Sequence, residues 1–224
     1  MFALWNQDFT ETDTTINEPR ETTRTRTRYD RAARLYDAMY WPAERLLIHR
    51  LRHRLWSRVP SGKILEIGVG TGENINYYPV SSDVTALDLS PHMLARARSR
   101  AVPEDARLEM QTGDVQQLDF PDDAFDSAVA TFVFCSVPDP GQGLREVARV
   151  VRPGGRIFLL EHVRVDIPII GMMMDIADPV AVRVTGAHVN RRTACLTRRL
   201  GIGRVMEERR GPFGMIQAIE IGVE

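Results

Sequence analysis

Short apolar runs alternate with segments of helical spacing through the middle of the chain. The helical segments are "SPHMLARARSRA", where Ser90 and Pro91 are residue types typical of a helix start, and "GLREVARVV". A further helix start is predicted at Gly72. The apolar runs predict five strands, "KILEIG", "VTALDLS", "RLEMQTGD", "AFDSAVATFVF" and "GGRIFLLEHV". Such alternation of strands and helices predicts a parallel sheet that helices cover on both faces.

The two ends of the chain follow other patterns. Leucines recur at helical spacing from about residue 21 to residue 57, with a break at Trp41-Pro42, where a helix must stop or restart. Near the other end, "RRTACLTRRLG" predicts a helix that ends at Gly201. The segments "GRVMEERRG" and "GMIQAIEIGV" predict two closing strands, joined as a hairpin on the edge of the sheet.

The remaining segments have no sustained period. Residues 163–189 are apolar and rich in methionine, and we expect Pro168, Gly171 and Pro179 to interrupt any long helix there. Flexible methionines suit an irregular apolar pocket, and they suit an ordinary core equally well. Residues 1–20 are polar and rich in threonine, which predicts a mobile arm. A chain of 224 residues is most simply one domain.

The composition is that of a soluble globular protein, with 43% hydrophobic and 26% charged residues. The formal net charge of −1 argues against dedicated nucleic-acid binding, although residues 20–58 hold eleven arginines against four carboxylates. Two cysteines provide neither a disulfide framework nor a metal site by themselves. The start of the chain has no signal-peptide pattern, and its longest apolar stretch is far below the roughly 20 residues that span a bilayer. We therefore expect a cytoplasmic protein.

A glycine-rich turn follows the first predicted strand. It has glycine at positions 68, 70 and 72, whereas a dinucleotide-binding fingerprint would have its third glycine at the position of Glu73. Glu66 lies two residues before the turn. A carboxylate there is a poor neighbour for a pyrophosphate and suits a cationic ligand.

Carboxylates also stand at the ends of the next two predicted strands. Asp88 ends the second strand, where an acid commonly binds two ribose hydroxyls, and Asp114 ends the third. Alone, an aspartate at a strand end is more often a helix cap or a turn residue. Since ligands of open α/β sheets bind at the carboxyl ends of the strands, we expect Glu66, Asp88 and Asp114 to converge on one crevice. That crevice suits a ligand with an ammonium, a ribose and an adenine but no phosphates, a description that S-adenosylmethionine meets.

The chain resembles the class I S-adenosylmethionine-dependent methyltransferases over about residues 25–222. Within them it is similar to the methyltransferase type 11 group of quinone C-methyltransferases, bacterial phospholipid N-methyltransferases and thiol S-methyltransferases. The resemblance rests on "ILEIGVGTGENINYYP", "VTALDLSPHMLARAR", "GDVQQLDFPDDAFDSAVATFVFCSVPDP" and "GLREVARVVRPGGRIFLLEH" in this order.

The resemblance implies a Rossmann-like, seven-stranded, mostly parallel sheet with helices on both faces and an antiparallel last strand. It also implies that the single domain, which follows the mobile arm, has three parts. Residues 21–58 would form N-terminal cap helices, residues 59–162 the S-adenosylmethionine-binding core, and residues 163–224 the acceptor cover and closing strands.

The resemblance further implies roles around the methionine part of the cofactor. The backbone at Gly68, Gly70 and Gly72 would pass under the methionine moiety. Glu66 would hold its ammonium directly or through water, and Thr131, at the end of the fourth strand, would face the methyl group. The product would be S-adenosylhomocysteine.

For the adenosine part, the resemblance implies that Asp88 binds the ribose diol, with Leu89 and Met93 against the adenine. Asp114 would receive the adenine amino group, and the Val115 backbone N–H would meet a ring nitrogen.

The arginine-rich N-terminal helix supports two further expectations. Tyr29 and Tyr36 lie where related enzymes cap the cofactor, although simple packing of the helix against the sheet is the alternative. Its arginines suit contact with an anionic membrane surface, although a solvated helix face is the commoner explanation. These arginines are Arg24, Arg26, Arg28, Arg31 and Arg34.

Few residues qualify as a general base, which methyl transfer needs only when the acceptor must lose a proton. The catalytic candidates are Glu161 and His162, which close the fifth strand, and His188 in "GAHVNRRT". For either histidine, a hydrogen-bonded structural role is the alternative. Cys135 has apolar neighbours, so we expect a buried and inert thiol.

Three hypotheses describe the function. The first is methylation of a small-molecule thiol or sulfide, favoured by likeness to the thiol-methylating branch. The second is methylation of a lipid, either the phosphatidylethanolamine headgroup or a quinone ring. The third is a regulatory protein that binds the cofactor without turnover. A nucleic-acid acceptor is not expected, because "FCSVPDP" replaces an Asn-Pro-Pro-Tyr type of motif after the fourth strand. No pattern in the sequence fixes an oligomeric state.

Overall fold

A computed structural model describes residues 20–43, 48–100, 102–103, 106–210 and 214–224. Within these ranges, the side chains at positions 32, 34–43 and 207–210 are not described. All but the last residue of the predicted N-terminal arm lies outside the described residues.

The core of the molecule is one seven-stranded sheet with the order β3-β2-β1-β4-β5-β7-β6. The first five strands pair in parallel, and β7 is antiparallel to both of its neighbours, β5 and β6. The predicted sheet and its antiparallel last strand are therefore confirmed. The strands are β1 (Lys63–Ile67), β2 (Asp83–Asp88), β3 (Arg107–Thr112), β4 (Phe125–Thr131), β5 (Val151–His162), β6 (Arg204–Arg210) and β7 (Ile216–Gly222).

Helices begin and end at residues with the chemistry of caps. The Ser90 hydroxyl accepts a hydrogen bond from the Met93 backbone N–H at 3.1 Å, as its position before Pro91 predicts. Gly201 ends the sixth helix in the left-handed conformation. The helices are α1 (Arg20–Ala43), α2 (His49–Trp56), α3 (Pro91–Ala97), α4 (Pro140–Val150), α5 (Pro168–Thr185) and α6 (Thr193–Leu200).

Helix α5 corrects the expectation that residues 163–189 hold no long helix. Pro168 takes the first helical position, where its missing N–H needs no partner, and Pro179 removes one interior hydrogen bond without ending the helix. At Gly171, a side chain would meet the Arg164 guanidinium, which would have to move aside.

The predicted break at Trp41-Pro42 agrees with the end of α1 at Ala43, one residue later, and with the new helix that begins at His49. A smaller prediction is wrong. After Gly72 the chain forms turns and a single 3₁₀ turn, Ile75–Tyr77, instead of an α-helix.

Two apolar clusters bury the two faces of the sheet, as the alternation predicts. On one face, Leu144 of α4 and Ala194 of α6 pack over strand residues that include Leu159. On the other face, Trp56 of α2 and Leu94 of α3 belong to a cluster around β1 and β5. Of the helices in the described ranges, none combines the length and hydrophobicity that a membrane crossing requires.

Candidate active site

A crevice of about 880 Å³, counted out to its opening, lies at the carboxyl ends of β1 to β4. Its walls come from the glycine turn after β1, the ends of β2 and β3, and the loop after β4. Thr25 and Tyr29 of α1 and Arg52 of α2 also line it. This is the edge of an open α/β sheet where ligands bind.

The backbone of the glycine turn adopts a conformation that is strained for residues other than glycine. Gly68 and Gly70 have φ angles of +66° and +57°, in the left-handed region. A side chain at Gly68 would overlap Val133, whereas the space beside Gly70 is open. The Gly70 N–H donates to Asp88 Oδ2 at 2.8 Å, so β2 holds the turn in place.

Asp88 is the predicted carboxylate whose contacts best fit its expected role in the crevice. Its side chain accepts from the Gly70 and Ser90 backbone N–H groups, at 2.8 and 2.9 Å. Burial raises its pKa to about 6, so it is ionised at neutral pH. Because an ionised carboxylate has about four acceptor positions, two backbone bonds leave room for ligand hydroxyls. Leu89 and Met93 continue the same wall.

The predicted residues after β3 are also brought into the crevice. Asp114 and Val115 both line it, beside the carboxyl ends of β1 and β2. Asp114 Oδ1 accepts from the Gln116 N–H at 2.9 Å, which fixes the orientation of the carboxylate. Tyr29 also lines the crevice, whereas the side chain of Tyr36 lies outside the described part of the chain.

Glu66 lies behind the crevice wall and does not line it. Its carboxyl group is fully buried and accepts from Asn74 Nδ2 at 2.6 Å and from the Tyr78 hydroxyl. Burial raises the pKa of Glu66 to about 7. Asn74 also donates to Thr131 Oγ1 at 2.9 Å, so Glu66 is linked through Asn74 to Thr131, which lines the crevice.

Arg52 is a crevice residue that the sequence analysis did not identify. Its Nη1 donates to Thr131 Oγ1 at 2.7 Å and to Asn74 Oδ1 at 2.9 Å. Its guanidinium carbon lies 5.4 Å from the centroid of the Phe132 ring, within cation–π range. It is one of eleven arginines between residues 20 and 58, and no spacing distinguishes it from the others.

Glu161, a catalytic candidate, is buried under the loop after β4. Its Oε1 accepts from the Val133 and Phe134 N–H groups, at 3.0 and 2.9 Å, and Oε2 is buried with no hydrogen-bond partner among the described residues. Burial raises its pKa to about 7. The side chain is not part of the crevice lining, so it supports the loop from behind.

The two histidine candidates also lie outside the lining. The His162 ring packs 4.6 Å, centroid to centroid, from Phe132, and burial lowers its pKa. His188 Nδ1 is 2.8 Å from Asp178 Oδ2, and the His188 backbone N–H donates to the Cys135 carbonyl in the loop after β4. The catalytic roles of Glu161, His162 and His188 stay predictions. Cys135 is buried, as expected, and burial raises the pKa of its thiol.

The predicted acceptor cover is not seen in the crevice lining. The described lining residues end at Pro138, so α5 and the closing strands contribute none of them. A covering role for residues 163–224 stays a prediction.

The charges of the lining suit the expected ligand. Its described residues include the carboxylates Glu73, Asp88 and Asp114, and one guanidinium, Arg52. Glu73 is paired with Arg100. An acidic crevice fits the ammonium, sulfonium and hydroxyl groups of S-adenosylmethionine, and it does not fit the pyrophosphate of a dinucleotide.

Comparisons with known proteins agree with this geometry. Residues 65–159 match the family described as "Methyltransferase domain". A phosphatidylethanolamine N-methyltransferase of Cereibacter sphaeroides is 42% identical over 105 residues, which are 45% of this chain and 51% of that protein. A thiol S-methyltransferase of Homo sapiens is 40% identical over 111 residues, 46% of this chain and 44% of that protein. The chain thus spans about half the length of these relatives.

A solved structure supports the fold alone. An S-adenosylmethionine-dependent methyltransferase from Thermotoga maritima superimposes with a TM-score of 0.69 at 20% identity. The superposition covers 88% of this chain and 99% of that chain.

Proposed function

We propose that this protein is an S-adenosylmethionine-dependent methyltransferase that methylates a small-molecule thiol or sulfide; the match of residues 65–159 to a methyltransferase domain supports the reaction class. The observation that carries the choice of acceptor is the position of Arg52. Its guanidinium lines the crevice and bonds to Thr131, the residue expected to face the methyl group.

The crevice residues support the binding of S-adenosylmethionine in a definite orientation. Asp88 has free acceptor positions for the ribose hydroxyls, and Asp114 and Val115 suit the adenine edge. Leu89 and Met93 form an apolar wall beside them. Neither Glu66 nor Asn74 lines the crevice, so Glu66 would act on the methionine ammonium only indirectly, by orienting Thr131 through Asn74.

The cofactor supplies a methyl group on a positively charged sulfur; the acceptor forms the new bond to that carbon as the old carbon–sulfur bond breaks. Thr131 and Arg52 lie where the acceptor would approach. A guanidinium beside a thiol lowers the thiol pKa and favours the reactive thiolate. At about 4 Å and an effective dielectric constant near 20, two opposite unit charges attract by about 4 kcal/mol.

The proposal assigns no general base to the described lining, because Glu73 is paired with Arg100 and the roles of Asp88 and Asp114 are in cofactor binding. No histidine or cysteine is found among the described residues that line the crevice. A thiol has an ordinary pKa of about 8.5, so with help from Arg52 it can lose its proton to water. A guanidinium would disfavour an amine acceptor, because methylation leaves that acceptor positively charged.

A lipid acceptor is the second candidate. It is favoured by the 42% identity to a phosphatidylethanolamine N-methyltransferase. Arg52 argues against the amine of that headgroup, but it would stabilise the anion of a reduced quinone as well as a thiolate. A quinone ring is therefore the stronger form of this candidate.

The test uses the full chain with methyl-labelled S-adenosylmethionine and a panel of acceptors. The panel holds sulfide, alkyl and aryl thiols, phosphatidylethanolamine vesicles and a demethylated quinone, with Asp88→Ala as the control for cofactor binding. We expect label in a thioether. Label only in the lipid or quinone fraction would reject the thiol proposal. Cofactor binding without transfer to any acceptor would favour the regulatory hypothesis.

A further inference from the structure

Helix α5 carries large apolar side chains on the surface of the protein. Six of them, which we call the α5 apolar face, are between 55% and 76% exposed. They recur at helical spacing and so form one stripe along the helix. The six residues are Ile169, Met172, Met173, Ile176, Val180 and Val184.

A surface helix normally buries its apolar side chains and exposes its polar ones, whereas α5 exposes its apolar side chains. The residues that face the protein include Gly171 and Asp178, both of which are buried. Asp178 accepts from the Val189 N–H at 2.9 Å and contacts His188, which ties the helix to the rest of the chain by polar contacts. A contiguous exposed apolar stripe of this kind marks a site of association.

Positive charge borders the carboxyl-terminal end of the stripe. Arg183 is exposed on α5 itself, and the side chain of Arg28 packs at Gly186, just after the helix. Arg24 and Arg31 are exposed one turn either side of Arg28 on the same side of α1. We call these four arginines the basic edge.

We propose that the α5 apolar face docks on the surface of an anionic lipid bilayer, with the basic edge against the headgroups. The helix would lie in the plane of the membrane, as amphipathic interfacial helices do, with its 18 residues spanning about 27 Å. Apolar burial and electrostatic attraction would act together there. The proposal does not depend on the identity of the methyl acceptor.

A second copy of the chain is a weaker choice of partner. In an antiparallel pair of α5 helices, Arg183 would approach the amino-terminal half of the other helix. The nearby acid there, Asp175, is already paired with Arg164 at 2.8 Å. The basic edge would therefore gain little from a second copy, whereas anionic headgroups would neutralise all four arginines.

Docking would also orient the crevice. Helix α5 begins at Pro168, shortly after β5 ends at His162, on the edge of the sheet where the crevice opens. A bilayer under α5 would therefore lie close to the mouth of the crevice, where an acceptor dissolved in the membrane can reach it.

The apolar contribution is tested by vesicle flotation of the full chain, with phosphatidylcholine vesicles that contain or lack phosphatidylglycerol. The variant Ile169→Gln/Met173→Gln/Ile176→Gln keeps residues that favour helix. We expect its affinity for anionic vesicles to fall about tenfold or more, because binding scales with buried apolar area. The matched control is Val80→Gln/Met206→Gln, which changes exposed apolar residues elsewhere, 63% and 53% exposed, and should bind like the unchanged protein.

The electrostatic contribution has its own pair of variants. Arg24→Gln/Arg31→Gln should weaken binding to anionic vesicles by about fivefold per arginine. The control, Arg107→Gln/Arg145→Gln, removes the same charge from exposed positions on β3 and α4 and should have little effect.

Three results would overturn the proposal. One is that the unchanged protein fails to float with anionic vesicles, and another is that the α5 variant floats equally well. The third is a dimeric mass in solution that the α5 variant reduces to a monomer, which would assign the face to a second copy. Cofactor affinity, measured on the same samples, should be equal in all variants, so a failure here is distinct from a failure of methyl transfer.

Discussion

The Arg52 guanidinium donates a hydrogen bond to the Thr131 hydroxyl at 2.7 Å, which joins helix α2 to the end of β4 at the crevice. The two residues are 79 positions apart in the chain. The contact puts a fixed positive charge beside the position expected for the methyl group. Under the proposed function, this charge would favour an anionic acceptor over a cationic one.

The first prediction concerns that charge. In Arg52→Gln, thiol methylation should fall about 10- to 100-fold at neutral pH, because the bound thiol loses the cation that lowers its pKa. The loss should shrink as the pH rises above the thiol's own pKa, so the alkaline shift of the rate profile is the measurement. Arg107→Gln, on the exposed start of β3, is the control. A loss of equal size at every pH would mean that Arg52 acts in packing or cofactor binding.

The second prediction concerns Asp88 and pH. Burial raises its pKa to about 6, and only the ionised form can accept from ribose hydroxyls at both oxygens. Cofactor affinity, measured by calorimetry, should therefore be constant above pH 6 and fall up to tenfold per pH unit below it. Asp88→Asn should bind more weakly by about 10- to 100-fold and flatten the profile. A wild-type affinity that does not change between pH 5 and pH 8 would contradict the proposed contact.

The sheet and most of the cofactor site could be predicted because their causes are local in the sequence. Apolar runs define the parallel strands, and a ligand crevice follows from where those strands end. Gly68 directly follows β1, Asp88 ends β2 and Asp114 lies two residues after β3, so their convergence is a consequence of topology. Arg52 could not be found in this way, because the docking of α2 decides which arginine of a rich segment enters the crevice.

Two further differences between the predictions and the structure have other physical causes. Helix α5 tolerates Pro168 and Pro179 because one proline starts the helix and the other interrupts a single bond. Glu161 and His162 are adjacent in β5, and successive side chains of a strand point to opposite faces. That period alone argues against a shared catalytic role for the pair, and the alternation was available from the sequence.

The third prediction separates backbone strain from steric overlap in the glycine turn. Gly70→Ala should lower the free energy of unfolding by about 1 kcal/mol, because the left-handed conformation is strained but the space is open. Gly68→Ala should cost about 2 kcal/mol or more, because the new side chain also overlaps Val133. Chemical denaturation measures both.

A double variant checks this reasoning. Val133→Ala in the Gly68→Ala background should recover part of the loss by removing the overlap, and should give no recovery in the Gly70→Ala background. Equal losses at the two glycines would contradict the role given to Val133.

The fourth prediction tests whether Glu161 is a proton acceptor or a support for the loop after β4. Burial raises its pKa to about 7 from an ordinary 4.5, so the folded protein binds more protons than the unfolded chain between these values. Its contribution to stability is therefore fully present below about pH 4.5 and is lost as the pH rises to 7. The difference between these two pKa values corresponds to about 3 kcal/mol.

In Glu161→Gln, the loss of stability between pH 4.5 and pH 7 should be absent, because the amide does not titrate. The amide oxygen can replace Oε1 as the acceptor of the Val133 and Phe134 N–H groups. We expect the variant to gain stability relative to the unchanged protein as the pH rises from 5 to 8, measured by thermal or chemical unfolding. Methyl transfer should stay within about threefold, because the side chain is outside the crevice lining. A fall of 100-fold or more, with cofactor affinity unchanged, would instead identify Glu161 as the general base.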